Sequence, residues 1–126
     1  MNKEYTHKAS FKAIYPFHER KHESQRVLRK YKARKPIICE RGINATVPVI
    51  TKKKFLVPDE LTMGQFVYVI RRRLKLDPAQ AIFLFLNGTI PSSSTLMVEL
   101  YEKYKDKDGF LYITYNGENV FGKNVL

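Results

Sequence analysis

The sequence predicts an α+β domain in which helices pack on a four-stranded mixed sheet. Three observations point there. Short apolar runs at residues 36–40, 54–57, 82–86 and 110–115 are bounded by turn signals, as strands are. Two longer segments, around residues 17–32 and 63–74, repeat apolar residues at helical spacing. With 126 residues, 44% of them hydrophobic, the chain can fill one proper core but not two.

Each element has its own reason. A short helix is expected around Ser10 to Ile14. Pro16 suits the first position of a second helix, where its missing N–H costs nothing, and this helix runs to about Lys32. Its apolar positions Phe17, Val27, Leu28 and Tyr31 form a thin stripe, while Glu19, Glu23, Arg26, Arg29 and Lys30 face water. Such a helix lies outside a domain, packed by one edge. Pro36 to Glu40 reads as a buried strand ending at the turn Arg41-Gly42-Ile43-Asn44. Lys54 to Val57 is a second strand closed by Pro58, and proline there marks a sheet edge, because a central strand needs the N–H.

Thr62-Met63-Gly64-Gln65 is a capping box opening the clearest helix. Met63, Phe66, Val67, Ile70 and Leu74 give it a core face, and Arg71, Arg72 and Arg73 suit the dipole near its C-terminus. Ile82 to Leu86 is a third strand, stopped by Asn87-Gly88. Leu96 to Lys105 reads as a short helix, and Asp106 to Gly109 as a turn into the last strand, Phe110 to Tyr115. This order fits the ubiquitin-like β-grasp, although periodicity alone leaves that as one option among several. The expected divisions are an N-terminal extension over 1–11, partly flexible; the domain over 12–115, with a helical subdomain at about 12–34; and a flexible tail over 116–126.

The net charge of +11 is uneven. Residues 1–54 carry 15 Lys/Arg against 4 Asp/Glu, and residues 55–126 carry 8 of each. A basic half attracts acidic peptides, anionic lipid head groups or nucleic acid, and charge does not choose among them. No run approaches the ~20 apolar residues of a membrane helix, and Met1 to Lys12 lacks the apolar centre of a secretory signal. Cys39 is the only cysteine, so no intrachain disulfide is possible, which suits a cytosolic setting, and its apolar neighbours favour a core role over a reactive thiol. His18 and His22 share a helix face at i, i+4, but no third ligand is recognisable and no metal is expected. Nothing reads as a catalytic centre, so no enzyme is expected. The basic residues come without an RNA-recognition aromatic signature or zinc finger, so no specific nucleic acid is expected either.

Several stretches resemble one family closely. They are Tyr15-Pro16-Phe17, Arg34-x-Pro36-Ile37-Ile38-Cys39-Glu40, Lys53-Lys54-Phe55-Leu56-Val57-Pro58, Leu61 through Arg73, Lys105 through Tyr112, and Tyr115-x-Gly117-Glu118-Asn119-x-Phe121-Gly122. From about Lys12 to Gly122 the chain is similar, nearly without gaps, to the autophagy ubiquitin-like modifiers of the GABA-A-receptor-associated-protein and microtubule-light-chain kind. The resemblance implies a ubiquitin-like fold with two added N-terminal helices. It implies cleavage by a cysteine protease between Gly122, preceded by Phe121, and Lys123, with residues 123–126 removed. Activating and conjugating enzymes would then join Gly122 to phosphatidylethanolamine, a covalent lipid in place of any cofactor, moving the protein from the cytoplasm to autophagosomal or vacuolar membranes.

The resemblance also implies recognition of cargo receptors through short motifs of an aromatic residue, two variable residues and an aliphatic one, added as a strand along Lys54 to Val57. An aromatic pocket would use Glu23, Val27, Pro36, Ile38, Lys54, Leu56 and Phe110. An aliphatic pocket would use Phe55, Val57, Pro58, Leu61, Phe66 and Val69. Arg34, Lys52, Lys54 and Arg73 would meet flanking acids. Val27 stands where isoleucine is usual and Phe55 where tyrosine is common. The alternative is a β-grasp adaptor that binds peptides and is never conjugated.

Overall fold

The computed structural model describes residues 9–43 and 45–119. In chain order its elements are α1 (Phe11–Ile14), α2 (Phe17–Lys30), β1 (Arg34–Arg41), β2 (Lys54–Pro58), α3 (Met63–Leu74), β3 (Phe83–Phe85), α4 (Met97–Tyr104) and β4 (Leu111–Asn116). The sheet order is β2-β1-β4-β3, with β1 and β4 parallel in the centre and antiparallel strands on either side. This mixed four-stranded sheet with helices is the α+β β-grasp.

Both sheet faces are covered, because neighbouring strand residues point to opposite faces. Ile37, Cys39, Leu111 and Ile113 face α3 and α4, where Phe66, Ile70, Met97 and Leu100 complete the main core. Ile38 and Phe110 face the other way and form a second cluster with Phe11 and Tyr15 from the α1 region. Cys39 is fully buried, and burial pushes its thiol pKa up, away from reactivity.

Element ends differ from expectation for local reasons. Pro16 is the N-cap of α2 rather than its first residue, with ψ at 160°, and α2 ends at Lys30 with Tyr31 as C-cap. β1 extends to Arg34 because Arg34 to Ile38 pair with Pro58 to Lys54. β3 is shorter than 82–86, since Leu86 instead closes a tight turn with Thr89. Leu96 and Lys105 are the caps of α4 rather than its ends. Phe11, placed with the extension from sequence, is fully buried and opens α1; Asn116, placed with the tail, is buried and closes β4 against Phe83. The other readings on residues 1–8, Asn44 and 120–126 lie outside the described residues. The capping box of α3 is present: Thr62 Oγ1 accepts from Gln65 N at 3.1 Å, and Thr62 N donates to Gln65 Oε1 at 2.9 Å.

One polar cluster welds α2 to the turn before β4. Arg20 and Asp108 are buried, with Arg20 Nε 3.0 Å from Asp108 Oδ2. Asp108 Oδ1 accepts from Phe110 N at 2.9 Å, its Oδ2 accepts from the Tyr112 hydroxyl, and its carbonyl accepts from the Ser24 hydroxyl. Burial first, and the Asp108 carboxylate second, push the Tyr112 hydroxyl pKa well up. Gly109 sits at φ +90°, and a Cβ there would lie 2.2 Å from Ser24 Oγ, so the close approach of turn and helix needs glycine. Elsewhere, Tyr115 pins the segment between β1 and β2: Ile50 N donates to its hydroxyl at 2.7 Å, and the hydroxyl donates to Pro48 O at 2.8 Å.

Candidate peptide-binding edge and C-terminal glycine

β2 is an edge strand, and its pairing decides which groups face outward. Pro36 has no N–H, so its pair with Leu56 is a non-hydrogen-bonded one, and the flanking pairs, Lys35 with Val57 and Ile37 with Phe55, carry the ladder. The bond from Cys39 N to Lys53 O, 2.8 Å, continues the same phase. The N–H and C=O groups of Lys54 and Leu56 therefore point away from β1, toward the open edge. Leu56 O accepts only a long 3.4 Å bond from Arg34 Nη1 among the described residues. Pro58 falls in the same outward phase, where its missing N–H costs the sheet nothing.

The same alternation sorts the side chains. Lys54 and Leu56 lie with Pro36 and Ile38 on the face covered by α1 and α2, whereas Phe55 and Val57 lie with Ile37 on the α3 face. On the first face, a cavity of about 230 Å³ opens between α2 and β2. Its lining includes Glu23, Val27, Pro36, Lys54, Leu56 and Phe110 of the seven sequence-derived residues. Ile38 is not among the lining residues: it is fully buried and packs in the cluster that holds Phe110. Sequence reasoning missed Arg26 and Tyr31, and assigned Lys52 and Phe55 other roles, though all four line this cavity. Arg26 and Tyr31 were legible in principle: at i+3 and i+8 from Glu23 they flank the same side of α2.

On the α3 face, Phe55, Val57 and Phe66 are buried, Leu61 and Val69 half-buried and Pro58 exposed. The Phe55 and Phe66 rings meet edge-on, with centroids 5.5 Å apart. Much of the proposed aliphatic site is thus core, with its accessible part formed by Pro58, Leu61 and Val69.

The edge is strongly basic. Lys54 Nζ lies 2.5 Å from Glu23 Oε2, and Arg26 Nε lies 2.8 Å from Glu23 Oε1. The Arg26 hydrogen bond foremost, with Lys54 adding to it against the effect of burial, holds the Glu23 carboxyl at about 2. Arg34, Lys52 and Arg73 are exposed, and the Arg73 guanidinium lies 5.7 Å from the Phe55 ring centre. His18 and His22 are exposed on α2, and among the described residues no three His, Cys, Asp or Glu side chains gather to hold a metal. Phe121, Gly122 and Lys123 lie outside the described residues.

Comparison with known proteins decides the family. The profile described as "Autophagy protein Atg8 ubiquitin like" matches residues 19–122. The chain belongs to the Atg8 family. Over 115 residues it is 55% identical to autophagy-related protein 8 of Vanderwaltozyma polyspora, covering 91% of this chain and 98% of that one. It is 53% identical over 116 residues to the Saccharomyces cerevisiae protein, covering 92% and 99%. Among solved structures, Trypanosoma brucei ATG8 matches with a TM-score of 0.80 and 41% identity, covering 86% of this chain and 95% of that one. Plasmodium falciparum Atg8, in complex with a peptide of Plasmodium falciparum Atg3, matches with a TM-score of 0.81 and 35% identity, covering 87% and 97%. This Atg8-family protein is therefore an autophagy ubiquitin-like protein. Its edge strand, basic surround and α2-side cavity are the features to which a function attaches.

Proposed function

We propose that this protein is a modifier cut after Gly122 by a cysteine protease and joined, through activating and conjugating enzymes, to phosphatidylethanolamine on autophagosomal or vacuolar membranes. The protease hydrolyses the Gly122–Lys123 peptide bond, the freed carboxyl is activated and carried as a thioester of the conjugating enzyme, and the lipid amine then displaces that enzyme's thiol to form an amide. On the membrane it recruits cargo receptors and autophagy factors that carry aromatic-x-x-aliphatic motifs.

The open edge of β2 carries the recruiting arm. An incoming strand bonds to the outward N–H and C=O groups of Lys54 and Leu56. Residues i and i+3 of that strand point to opposite faces, so an aromatic side chain enters the α2-side cavity while the aliphatic one meets Pro58, Leu61 and Val69. Acids beside the motif meet Arg34, Lys52 and Arg73. The Plasmodium relative's complex with an Atg3 peptide supports a conjugating-enzyme partner for this chain.

The conjugation arm rests on family membership and on the family match running to Gly122. No helix among the described residues is long and apolar enough to cross a membrane, and a two-chained lipid supplies a firm anchor. The test is the intact mass of the protein from its own starved cells beside a Gly122→Ala variant. Loss of residues 123–126 with a lipid-sized increment, both absent in the variant, is the expected result. A chain still ending at Leu126 overturns conjugation and leaves an unconjugated peptide-binding adaptor.

A further inference from the structure

We propose that the groove between α2 and α4, on the other side of α2 from the edge-strand cavity, is a second docking site for an acidic peptide segment bearing one large apolar anchor. The groove encloses about 800 Å³. From α2 it is lined at helical spacing by Phe17, Lys21, Gln25 and Leu28, and its opposite wall holds Tyr101 and the turn at Lys105 to Lys107. Glu23, Val27 and Tyr31 line the edge-strand cavity instead, so the two sites share a helix but not these residues.

Two observations specify the occupant. First, Phe17 is 49% exposed at the lip of a groove whose lining includes the buried Tyr101; the Arg20 guanidinium lies 5.7 Å from its ring centre, and the open half of the side chain is where an apolar group can lie. Second, the groove's charge is positive and partly unspent. Lys21 Nζ donates to Lys107 O at 3.0 Å, and an ammonium has further donors for a carboxylate. Lys105 lies 5.5 Å from the Tyr101 ring centre, and its one ion pair among the described residues is a long, exposed one with Glu102 at 3.4 Å, which an incoming acid displaces at little cost. Among the described lining residues the one acid, Asp106, is held by Lys12 at 2.7 Å, and that pair helps keep its carboxyl below the usual range against the effect of burial. Among the described residues the lining offers one exposed aromatic ring, enough for a single apolar anchor but no platform for successive stacked bases, so a carboxylate-rich peptide suits it better than single-stranded nucleic acid.

This inference does not depend on the edge-strand reading. The test selects displayed random 16-residue peptides on the full chain carrying Leu56→Arg, which obstructs the β2 edge. Selected peptides are expected to join one Trp, Phe or Leu to at least two nearby acids. Their affinity should fall about tenfold in Phe17→Ala and in the Lys21→Glu/Lys107→Glu variant. Melting temperatures near the parent's confirm that these substitutions leave the fold intact, and the exposed Lys107→Glu alone serves if the double variant, which also changes the half-buried Lys21, melts early. No enrichment, enrichment without acids, affinity indifferent to these changes, or an RNA 12-mer outcompeting the peptides overturns the proposal.

Discussion

At Asp108 a carboxylate has no solvent and holds three partners, the Arg20 guanidinium, Phe110 N and the Tyr112 hydroxyl, whereas Glu102 on α4 is largely exposed and among the described residues pairs only with Lys105. Burial decides what each is worth. Asp108→Ala leaves the Arg20 guanidinium buried without its carboxylate and should cost about 3 kcal/mol or more. Glu102→Ala should cost less than about 0.5 kcal/mol. Urea unfolding of the two variants, compared at constant slope, checks the contrast. Neither Arg20 nor Asp108 stood out in the sequence, because a charged residue on a charged helix carries no sign of which neighbour will bury it. Glu23 supplies a second test. Its carboxyl is held at about 2, below the ordinary 4.5, so the fold favours its charged form. The contribution is complete above the unfolded value and is lost as pH falls from about 4.5 toward 2. A carboxyl-carbon NMR titration should give a midpoint near 2 that rises in Arg26→Ala. A midpoint near 4.5 in the parent would show that the Arg26 and Lys54 contacts do not persist in solution.

At the scale of elements, local chemistry was most legible where it is self-contained. The capping box of α3 needs only Thr62 and Gln65, and both bonds form. Thr62→Ala should cost about 1 kcal/mol in thermal or chemical unfolding. β2 was legible as an edge through Pro58, whereas Pro36 sits in central β1 because pairing with β4 begins only at Ile37 and asks no N–H of the proline. The strand ends were not, since β1 lengthens to meet partners far along the chain. Edge geometry yields a sharper prediction about ligands. A peptide with its aromatic and aliphatic residues three apart places them on opposite faces, so deleting one spacer residue puts both on the same face. The shortened peptide should bind at least about tenfold more weakly by calorimetry. Equal affinity would exclude strand addition along β2.

At the scale of the whole molecule, the excess of cations lies in the first 54 residues, and Lys52, Lys54 and Arg34 bring part of it to the β2 edge. Acidic peptides should therefore associate faster at low ionic strength, with the association rate falling about tenfold between 0.01 and 0.15 M salt and the dissociation rate changing less. Stopped-flow mixing distinguishes this steering from a contact effect, which would act mainly on dissociation.

The sequence by itself determined the element order, the α3 cap, the edge character of β2 and the family, because these are written in short-range patterns and in motifs. Only the tertiary structure decided that Arg20 and Asp108 share a buried pair, that Ile38 lies behind rather than in the α2-side cavity, and that Val47 and Ile50 enter the core under Tyr115. Burial and cavity shape depend on residues far apart in the chain meeting across the sheet, and no local pattern encodes such a meeting.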